Sequence, residues 1–360
     1  MGCQISPPPR NAARQSGGSG RGRNVGIYDL NISRTPLVLI QTECLKSGFN
    51  CFSESIRQSW GEKRRGEGDM PVTRHDVLNT PHDSIHYLEY KIILQPSRFH
   101  SAHSFKEFWK IVKHTAKKFD VHIKESKTPF ASTEREVLFY DTKNFDLYNN
   151  HFILRLRTFY KDGWPEGIPE LTFKFRHPEF DVAAGVDVRP AVPGGAARIK
   201  FKKEFLPLRE SLGGIRPIFS HNCVLGMPRE QLNLAVSDLA KSFPAFSQVQ
   251  SPGESAIQLV NDFAVVEVQA DIGELHFGGG LNAKATISVW RDRKTENALC
   301  GEFAFQCRFE SENDLHKNGM KRAEDFYKTL QMEAFDWVSL GTTKTAMVYR
   351  LGSQLTRNSE

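Results

Sequence analysis

Several segments of this 360-residue chain alternate large apolar residues with charged ones, and this limits the folds that the chain can adopt. In "HFILRLRTF", Phe152, Leu154 and Leu156 alternate with a side that carries Arg155 and Arg157. The segments "ELTFKFR" and "RIKFKKEF" repeat the pattern, with Phe on one side and mainly Lys and Arg on the other. Successive side chains of a β-strand point to opposite faces of its sheet. The pattern therefore predicts strands with an apolar face that must be covered and a second face rich in charge.

Eight segments carry strand signals of this kind, and three carry helical ones. The predicted strands span 84–94, 134–142, 151–160, 170–176, 197–205, 263–271, 281–291 and 301–309. The predicted helices are "SFKEFWKIVKHTAKKFD", a segment around 228–243 and a long segment at 312–338. Each helix has one apolar stripe at helical spacing, which is a packing face that needs an apolar surface to cover. The chain is therefore predicted to have an α+β fold.

The composition divides the chain into three parts. Residues 1–80 are rich in Gly, Ser, Pro and Arg and show no sustained periodicity, so we expect a disordered extension. Met70, near the end of this part, is a candidate start residue. Residues 81–350 hold every predicted strand and helix and are expected to form one domain. Residues 351–360 are expected to be a flexible tail.

The net charge of +6 does not by itself indicate a nucleic-acid partner, because most of it lies in the extension. Residues 1–70 carry ten Lys or Arg and six Asp or Glu, and the other 290 residues carry 38 and 36. The basic strand faces also lack the interleaved aromatic residues that bind single strands, so no nucleic acid is expected as a partner. No apolar run approaches the roughly 20 residues of a membrane span. Six cysteines without a Cys-x-x-Cys pair are expected to be reduced, which favours a cytoplasmic location.

Two architectures are compatible with strands that have one apolar face and one charged face. An open antiparallel sheet would pack the helices on its apolar face and show the charged face to water. A sheet closed into a barrel would place the helices outside and the charges inside, and eight strands suffice to enclose one small ligand. The pattern alone slightly favours the open sheet. A lumen with opposed Lys or Arg and Glu would suit a polyphosphate bridged by divalent cations.

Specific motifs add a resemblance to a known family. The first predicted strand reads Tyr87-Leu-Glu89-Tyr-Lys91. It is followed by "LFYDTKNFDLYNNHFILRLRT", "LTFKFR", "KKEF" and "CGEFAFQCRF". These segments resemble the strands of the CYTH superfamily, the triphosphate tunnel metalloenzymes, whose hallmark is Glu-x-Glu-x-Lys on the first strand. The resemblance covers roughly residues 84–345, and it implies an eight-stranded antiparallel closed β-barrel, a tunnel with a polar interior and helices packed outside.

The resemblance also implies an activity and roles for individual residues. Family members hydrolyse triphosphates with Mg²⁺ or Mn²⁺, and one branch cyclises ATP. Carried to this sequence, the catalytic group would be Glu89, Lys91, Arg157 and Lys174. Further substrate-binding residues would be Arg155, Arg176, Lys200 and Lys202. The metal ligands would be Glu89, Glu204 and Glu302. The expected function is that of a metal-dependent phosphohydrolase acting on a small triphosphate or polyphosphate.

The chain departs from the family pattern mainly in its acidic residues. The first hallmark Glu is Tyr87, and the last strand has Ala304 and Gln306 where Glu is usual. The sixth strand carries Glu267 and Gln269 in place of basic residues, and the seventh carries Lys284 and Thr286 in place of acidic ones. "GTTKT", at 341–345, lacks the spacing of a Walker motif. Loss of carboxylates could abolish catalysis and leave a phosphate-binding cavity, so a non-catalytic binding module is the alternative function. The sequence leaves the substrate and the oligomeric state open.

Overall fold

A computed structural model describes residues 83–191, 197–232 and 234–351. The predictions for the N-terminal extension, for Met70 and for the tail after 351 lie outside these residues. Within these residues, ten strands form one sheet. Their bounds are β1 Tyr87–Leu94, β2 His122–Glu125, β3 Ser132–Asp141, β4 Phe152–Lys161, β5 Trp164–His177, β6 Arg198–Leu206, β7 Arg216–Gly226, β8 Gln258–His276, β9 Asn282–Asp292 and β10 Ala298–Arg308.

Nine of these strands close into a barrel in the order β8-β3-β4-β5-β7-β6-β1-β10-β9, and β9 pairs back with β8. The short β2 pairs with the last residues of β8. The predicted closed barrel with a polar interior is confirmed, and the open sheet that the pattern alone favoured is wrong.

The strand count and direction differ from the prediction of eight antiparallel strands. The extra barrel strand is β7, whose inward positions are Ile218, Ser220, Asn222 and Val224, so no charged side chain marks it in the sequence. A closed ring with an odd number of strands cannot alternate direction everywhere. One pair must be parallel, and it is β1 with β6, with Glu89 opposite Glu204.

Six α-helices lie among the described residues. They are α1 His103–Lys118, α2 Asp146–Asn149, α3 Phe180–Ala184, α4 Val236–Ser242, α5 Lys317–Glu333 and α6 Lys344–Arg350. The helix predicted from 228 begins only at Val236, because the backbone before it pairs with another segment: Ala235 bridges Ala256, and the Val236 amide donates to the Ser255 carbonyl at 3.0 Å. No helix in the described ranges is long and apolar enough to cross a membrane.

The apolar strand faces point outward and are covered as predicted. The helices α1 and α5 pack their apolar stripes on β1, β8, β9 and β10, where Phe108, Trp109 and Phe326 are almost completely buried. The helix α4 and the turn that follows it cover β4 and β5, where Phe173 packs against Phe243 and Phe246. Burial of these aromatic side chains fixes which face of each strand points inward.

One end of the barrel interior is filled by apolar side chains and by α6. Val348 and Tyr349 of α6 are fully buried there against inward residues that include Ile93, Ile153 and Trp290. The Tyr349 hydroxyl lies 3.0 Å from Oδ2 of the buried Asp141 and donates to it. The remaining interior, towards the Tyr87 end of β1, is the charged part.

Tyr327 of α5 supports the only parallel pair among the described strands. Its hydroxyl donates to the Lys91 carbonyl of β1 at 2.6 Å and lies 3.3 Å from the Phe205 carbonyl of β6. Tyr327 is completely buried, so no water can replace these contacts.

We expect Tyr327→Phe to lower the free energy of unfolding by about 1–3 kcal/mol, because it leaves buried carbonyl oxygens without a donor. Urea titration followed by circular dichroism measures this. Tyr160→Phe, at a half-buried position of β4, is the matched control and should change stability by less than about 0.5 kcal/mol. Equal effects of the two substitutions would contradict the assigned role.

Candidate functional site

The charged strand faces enclose a cavity of about 390 Å³ inside the barrel. Every residue that the sequence placed in the site lines it: Glu89, Lys91, Arg155, Arg157, Lys174, Arg176, Lys200, Lys202, Glu204 and Glu302. In total ten basic and six acidic side chains line the cavity, an excess of four positive charges. Charges removed from water are costly unless they are paired, so the pairing inside the cavity decides what it can hold.

The first group of charges surrounds Glu204, whose side chain is only 1% exposed. Its carboxylate oxygens lie 2.8 Å from Lys174 Nζ, 2.9 Å from Lys91 Nζ and 3.3 Å from Arg176 Nη2. The Ser220 hydroxyl of β7 also donates to Glu204, at 2.5 Å. The Glu204 carboxylate of β6 thus contacts side chains of three other strands, β1, β5 and β7.

Glu89 extends this group towards the open end of the barrel. Its Oε2 lies 3.0 Å from Lys91 Nζ and 3.2 Å from Lys202 Nζ. Burial raises the pKa of Glu89, but Lys202 and Lys91 outweigh it and lower the value to about 2. Burial likewise opposes the charge of Glu204, and Lys174, Lys91 and Arg176 hold its pKa well below the usual value. Both carboxylates are therefore ionised and already engaged by cations.

The second group of charges surrounds Glu267, whose side chain is fully buried. Arg135 Nε lies 2.6 Å from Oε2 of Glu267, and Lys344 Nζ lies 2.9 Å from Oε1. The same Lys344 ammonium lies 2.7 Å from Oε1 of Glu302. Glu302, a predicted metal ligand, is therefore paired with a lysine from the start of α6.

Arg155 and Arg157 of β4 are two poorly compensated cations of the cavity. Arg155 Nη2 donates to the Thr172 hydroxyl at 3.3 Å, and Arg157 reaches Glu170 and Glu267 only at 3.9 Å each. The Nε atoms of both guanidiniums are buried without a hydrogen-bond partner among the described residues. Burial lowers the pKa of Arg155 to about 10 and that of Arg157 well below its usual value, where the neighbouring Arg155 adds to the effect. A bound anion would relieve this unfavourable charge.

Lys174, Lys200 and Lys202 complete the positive side of the cavity. Burial, followed by the charge of Arg176, lowers the pKa of Lys174 well below its usual value although Glu204 opposes this. Lys200 and Lys202 lie over the ring of Tyr87, with Nζ atoms 5.8 and 5.6 Å from its centroid. Tyr87 therefore presents the face of an aromatic ring to two ammonium groups.

The predicted metal ligands do not form a metal site among the described residues. No three His, Cys, Asp or Glu side chains there are grouped so that they could hold an ion. Glu89, Glu204 and Glu302 each contact at least one lysine within 3.2 Å. Mg²⁺ and Mn²⁺ are bound by carboxylate oxygens that are not already paired with a cation. Here the ammonium groups are paired with those oxygens. The donor set in this arrangement does not fit a resident divalent cation.

The sequence reasoning missed two cations that the barrel brings into the site. Arg135 is inward on β3, where its neighbours Glu134 and Glu136 hid the alternation, and its Nη2 also donates to Gln269 at 2.8 Å. Lys344 belongs to "GTTKT", which has no Walker spacing but lines the cavity from α6. The run of charged residues around Arg135 therefore gave no sign of its direction, and nothing local to 341–345 indicates that α6 folds against the barrel.

Comparisons with known proteins give matches to solved structures alone. No family model and no curated protein matches the chain. A proposed adenylyl cyclase from Hippeastrum, described with a dominant triphosphatase activity, is 12% identical, with a TM-score of 0.36 over 76% of this chain and 98% of that one. A proposed adenylate cyclase from Bacillus halodurans is 12% identical, with a TM-score of 0.32 over 72% of this chain and 95% of that one.

A protein from Pyrococcus horikoshii is 11% identical, with a TM-score of 0.32 over 74% of this chain and 99% of that one. At TM-scores below 0.4 these matches establish no activity for this chain. The closed barrel and its charged interior are established by the strand pairing itself.

We expect Glu204→Gln to lower the free energy of unfolding by about 3–5 kcal/mol, because it leaves Lys174 and Arg176 buried beside a neutral amide. The control is Glu170→Gln, since Glu170 is more exposed and pairs with the exposed Arg198. That substitution should cost no more than about 1 kcal/mol. Urea titrations of both variants at pH 7 check the difference, and similar values would show that the Glu204 contacts do not stabilise the barrel.

Proposed function

We propose that the barrel binds a small ligand that carries a chain of phosphoryl groups, such as a triphosphate or polyphosphate. The observation that carries the proposal is the excess of four positive charges in the cavity, with Arg155 and Arg157 poorly compensated. Guanidinium groups bind phosphate oxygens through paired hydrogen bonds that are stronger than neutral ones. An anion at this place therefore gains contacts that the protein itself does not supply.

The distribution of the cations favours a chain of phosphoryl groups over a single phosphate. Arg155 and Arg157 lie on β4, Lys174 and Arg176 on β5, and Lys200 and Lys202 on β6. One phosphate contacts only a few of these groups at a time, whereas a polyphosphate presents oxygens along its length. A volume of about 390 Å³ lies within the range of small-molecule sites, roughly 300–1,000 Å³. The apolar layer and α6 fill one end, so the ligand reaches the cavity from the Tyr87 end.

Turnover of the bound ligand is a second candidate, as the sequence resemblance implies. The observation that favours it is the accessibility of two carboxylates: Glu89 is 14% exposed and Glu302 is 13% exposed, whereas Glu204 and Glu267 are buried. Hydrolysis with Mg²⁺ or Mn²⁺ would require these two carboxylates to be released from Lys91 and Lys344. We rank binding first because no such release is needed. Three buried free cysteines, Cys223, Cys300 and Cys307, support a reducing location such as the cytoplasm.

Tripolyphosphate should bind one site per chain, and Arg155→Gln should weaken this binding by about 10- to 100-fold, the range expected for losing a hydrogen bond to a charged group. Isothermal titration calorimetry measures the affinity, and the rise in melting temperature with ligand gives an independent reading. Lys110→Gln, on the exposed side of α1, removes one positive charge outside the barrel and is the control. An Arg155 variant that binds like the control would rule out the cavity as the site.

Phosphate release from tripolyphosphate, ATP and thiamine triphosphate, each with Mg²⁺ or Mn²⁺, tests the second candidate. Turnover that disappears in Glu89→Gln would establish hydrolysis in the cavity. Binding without phosphate release, in the wild-type protein at saturating ligand, would leave binding as the function.

A further inference from the structure

Lys344 lies between two carboxylates, Glu267 of β8 and Glu302 of β10, which are the strands on either side of β9. Its ammonium lies 2.9 Å from Glu267 and 2.7 Å from Glu302, and 4.8 Å from the centroid of the Trp290 ring. The Lys344 side chain is 14% exposed, so these contacts are made largely without water. The ammonium contributes one positive charge that both carboxylates share, at a place where a bound cation would also contact them.

The fold fixes the position of Lys344. The Thr343 hydroxyl accepts a hydrogen bond from the Ala346 amide at 3.1 Å and so caps α6 directly before Lys344. At the other end of α6, the Asn261 side chain donates to the Val348 carbonyl at 2.7 Å, and Tyr349 is bound to Asp141. The ammonium is therefore presented by an anchored helix rather than by a mobile surface segment.

Lys91 has the same relation to the other acidic pair. Its ammonium lies 3.0 Å from Glu89 and 2.9 Å from Glu204. Burial lowers the pKa of Lys91, but Glu204 and Glu89 outweigh this and raise it above the usual value, so the group stays charged. Four of the six cavity carboxylates thus form two pairs, and each pair is bridged by one lysine of the chain itself.

Building on the proposed function, we propose that the barrel takes its polyphosphate free of divalent cations, with Lys91 and Lys344 serving as fixed counter-ions for the four carboxylates. A phosphate chain complexed with Mg²⁺ has lost part of its negative charge before it meets the cavity. It also brings a cation towards Arg155 and Arg157, which lack anionic partners at short distance. The metal complex is therefore the poorer ligand.

The affinity of the wild-type protein for tripolyphosphate, measured by calorimetry in EDTA and in excess Mg²⁺, tests this preference. We expect binding in Mg²⁺ to be weaker by roughly tenfold, as for the loss of one charge-assisted contact. Binding that requires Mg²⁺, or is strengthened by it, would overturn the inference and leave the proposed function standing. Absence of binding under both conditions would overturn the proposed function itself.

Lys344→Met tests the role assigned to Lys344, since Met keeps the length and the packing against Trp290 but removes the charge. In EDTA, we expect this variant to bind tripolyphosphate less tightly than the wild type does. When Mg²⁺ is added, we expect the variant to bind tripolyphosphate more tightly than it does in EDTA, because Glu302 is then available to the ion. Lys344→Arg keeps the charge and should respond to Mg²⁺ as the wild type does. The double variant Lys344→Met/Glu302→Gln should lose the gain from Mg²⁺.

A Lys344→Met variant in which Mg²⁺ still weakens binding would show that Lys344 does not take the place of a metal. Thermal melting monitored by circular dichroism establishes whether each variant is folded. If Lys344→Met does not fold, Lys344→Gln, which can still donate to both carboxylates, replaces it with the same expected response. The wild-type comparison in EDTA and Mg²⁺ stays decisive in either case.

Discussion

The burial of charge inside a closed sheet is the constraint on which this structure depends. Two carboxylates, Glu204 and Glu267, are almost or completely buried, and each is surrounded by cations from different strands. Glu204 binds groups of β1, β5 and β7, and Glu267 binds groups of β3 and α6. Removal of one partner from such a group leaves a buried charge uncompensated, which is strongly unfavourable. The same contacts therefore fix the strands of the barrel and define the cavity.

Some buried cations of the cavity have no close anionic partner, and this connects the stability of the barrel with its function. The barrel contains guanidiniums whose pKa values are lowered by burial, so their positive charge is unfavourable there. A bound ligand of opposite charge offsets the unfavourable free energy of a buried charge. Groups with shifted pKa values are therefore frequent at functional sites. The carboxylates show the opposite situation, because lysines of the chain already neutralise them. The cavity therefore contains poorly compensated cations, whereas its carboxylates are paired.

Alternation in the sequence correctly predicted which residues point into the barrel, but it did not predict that the sheet closes into a barrel. Alternation along β1, β4, β5, β6 and β10 placed all the predicted site residues on the charged side, because the outer face of each strand carries mainly large apolar residues at alternate positions. Alternation could not identify β7, since its inward Ser220 and Asn222 carry no charge. Closure itself depends on the pairing of β3 with β8, of β1 with β6 and of β1 with β10, which are contacts between segments far apart in the chain.

Roles were harder to predict than positions. Glu89 and Glu302 were expected to be metal ligands because their strands resemble those of the CYTH superfamily. The cation of Glu302 turned out to be Lys344, about forty residues further along the chain, and the position of Lys344 depends on how α6 packs against the apolar end of the barrel. No local pattern carries that information, so the charge balance of the site became visible only with the fold.

A crystal structure of the protein grown with tripolyphosphate in EDTA tests the central claim most directly. The account predicts phosphate density inside the barrel, with oxygens about 2.7–2.9 Å from the guanidiniums of Arg155 and Arg157 and with Lys344 still between Glu267 and Glu302. An empty cavity at saturating ligand, or a ligand held only on the outer surface, would contradict it.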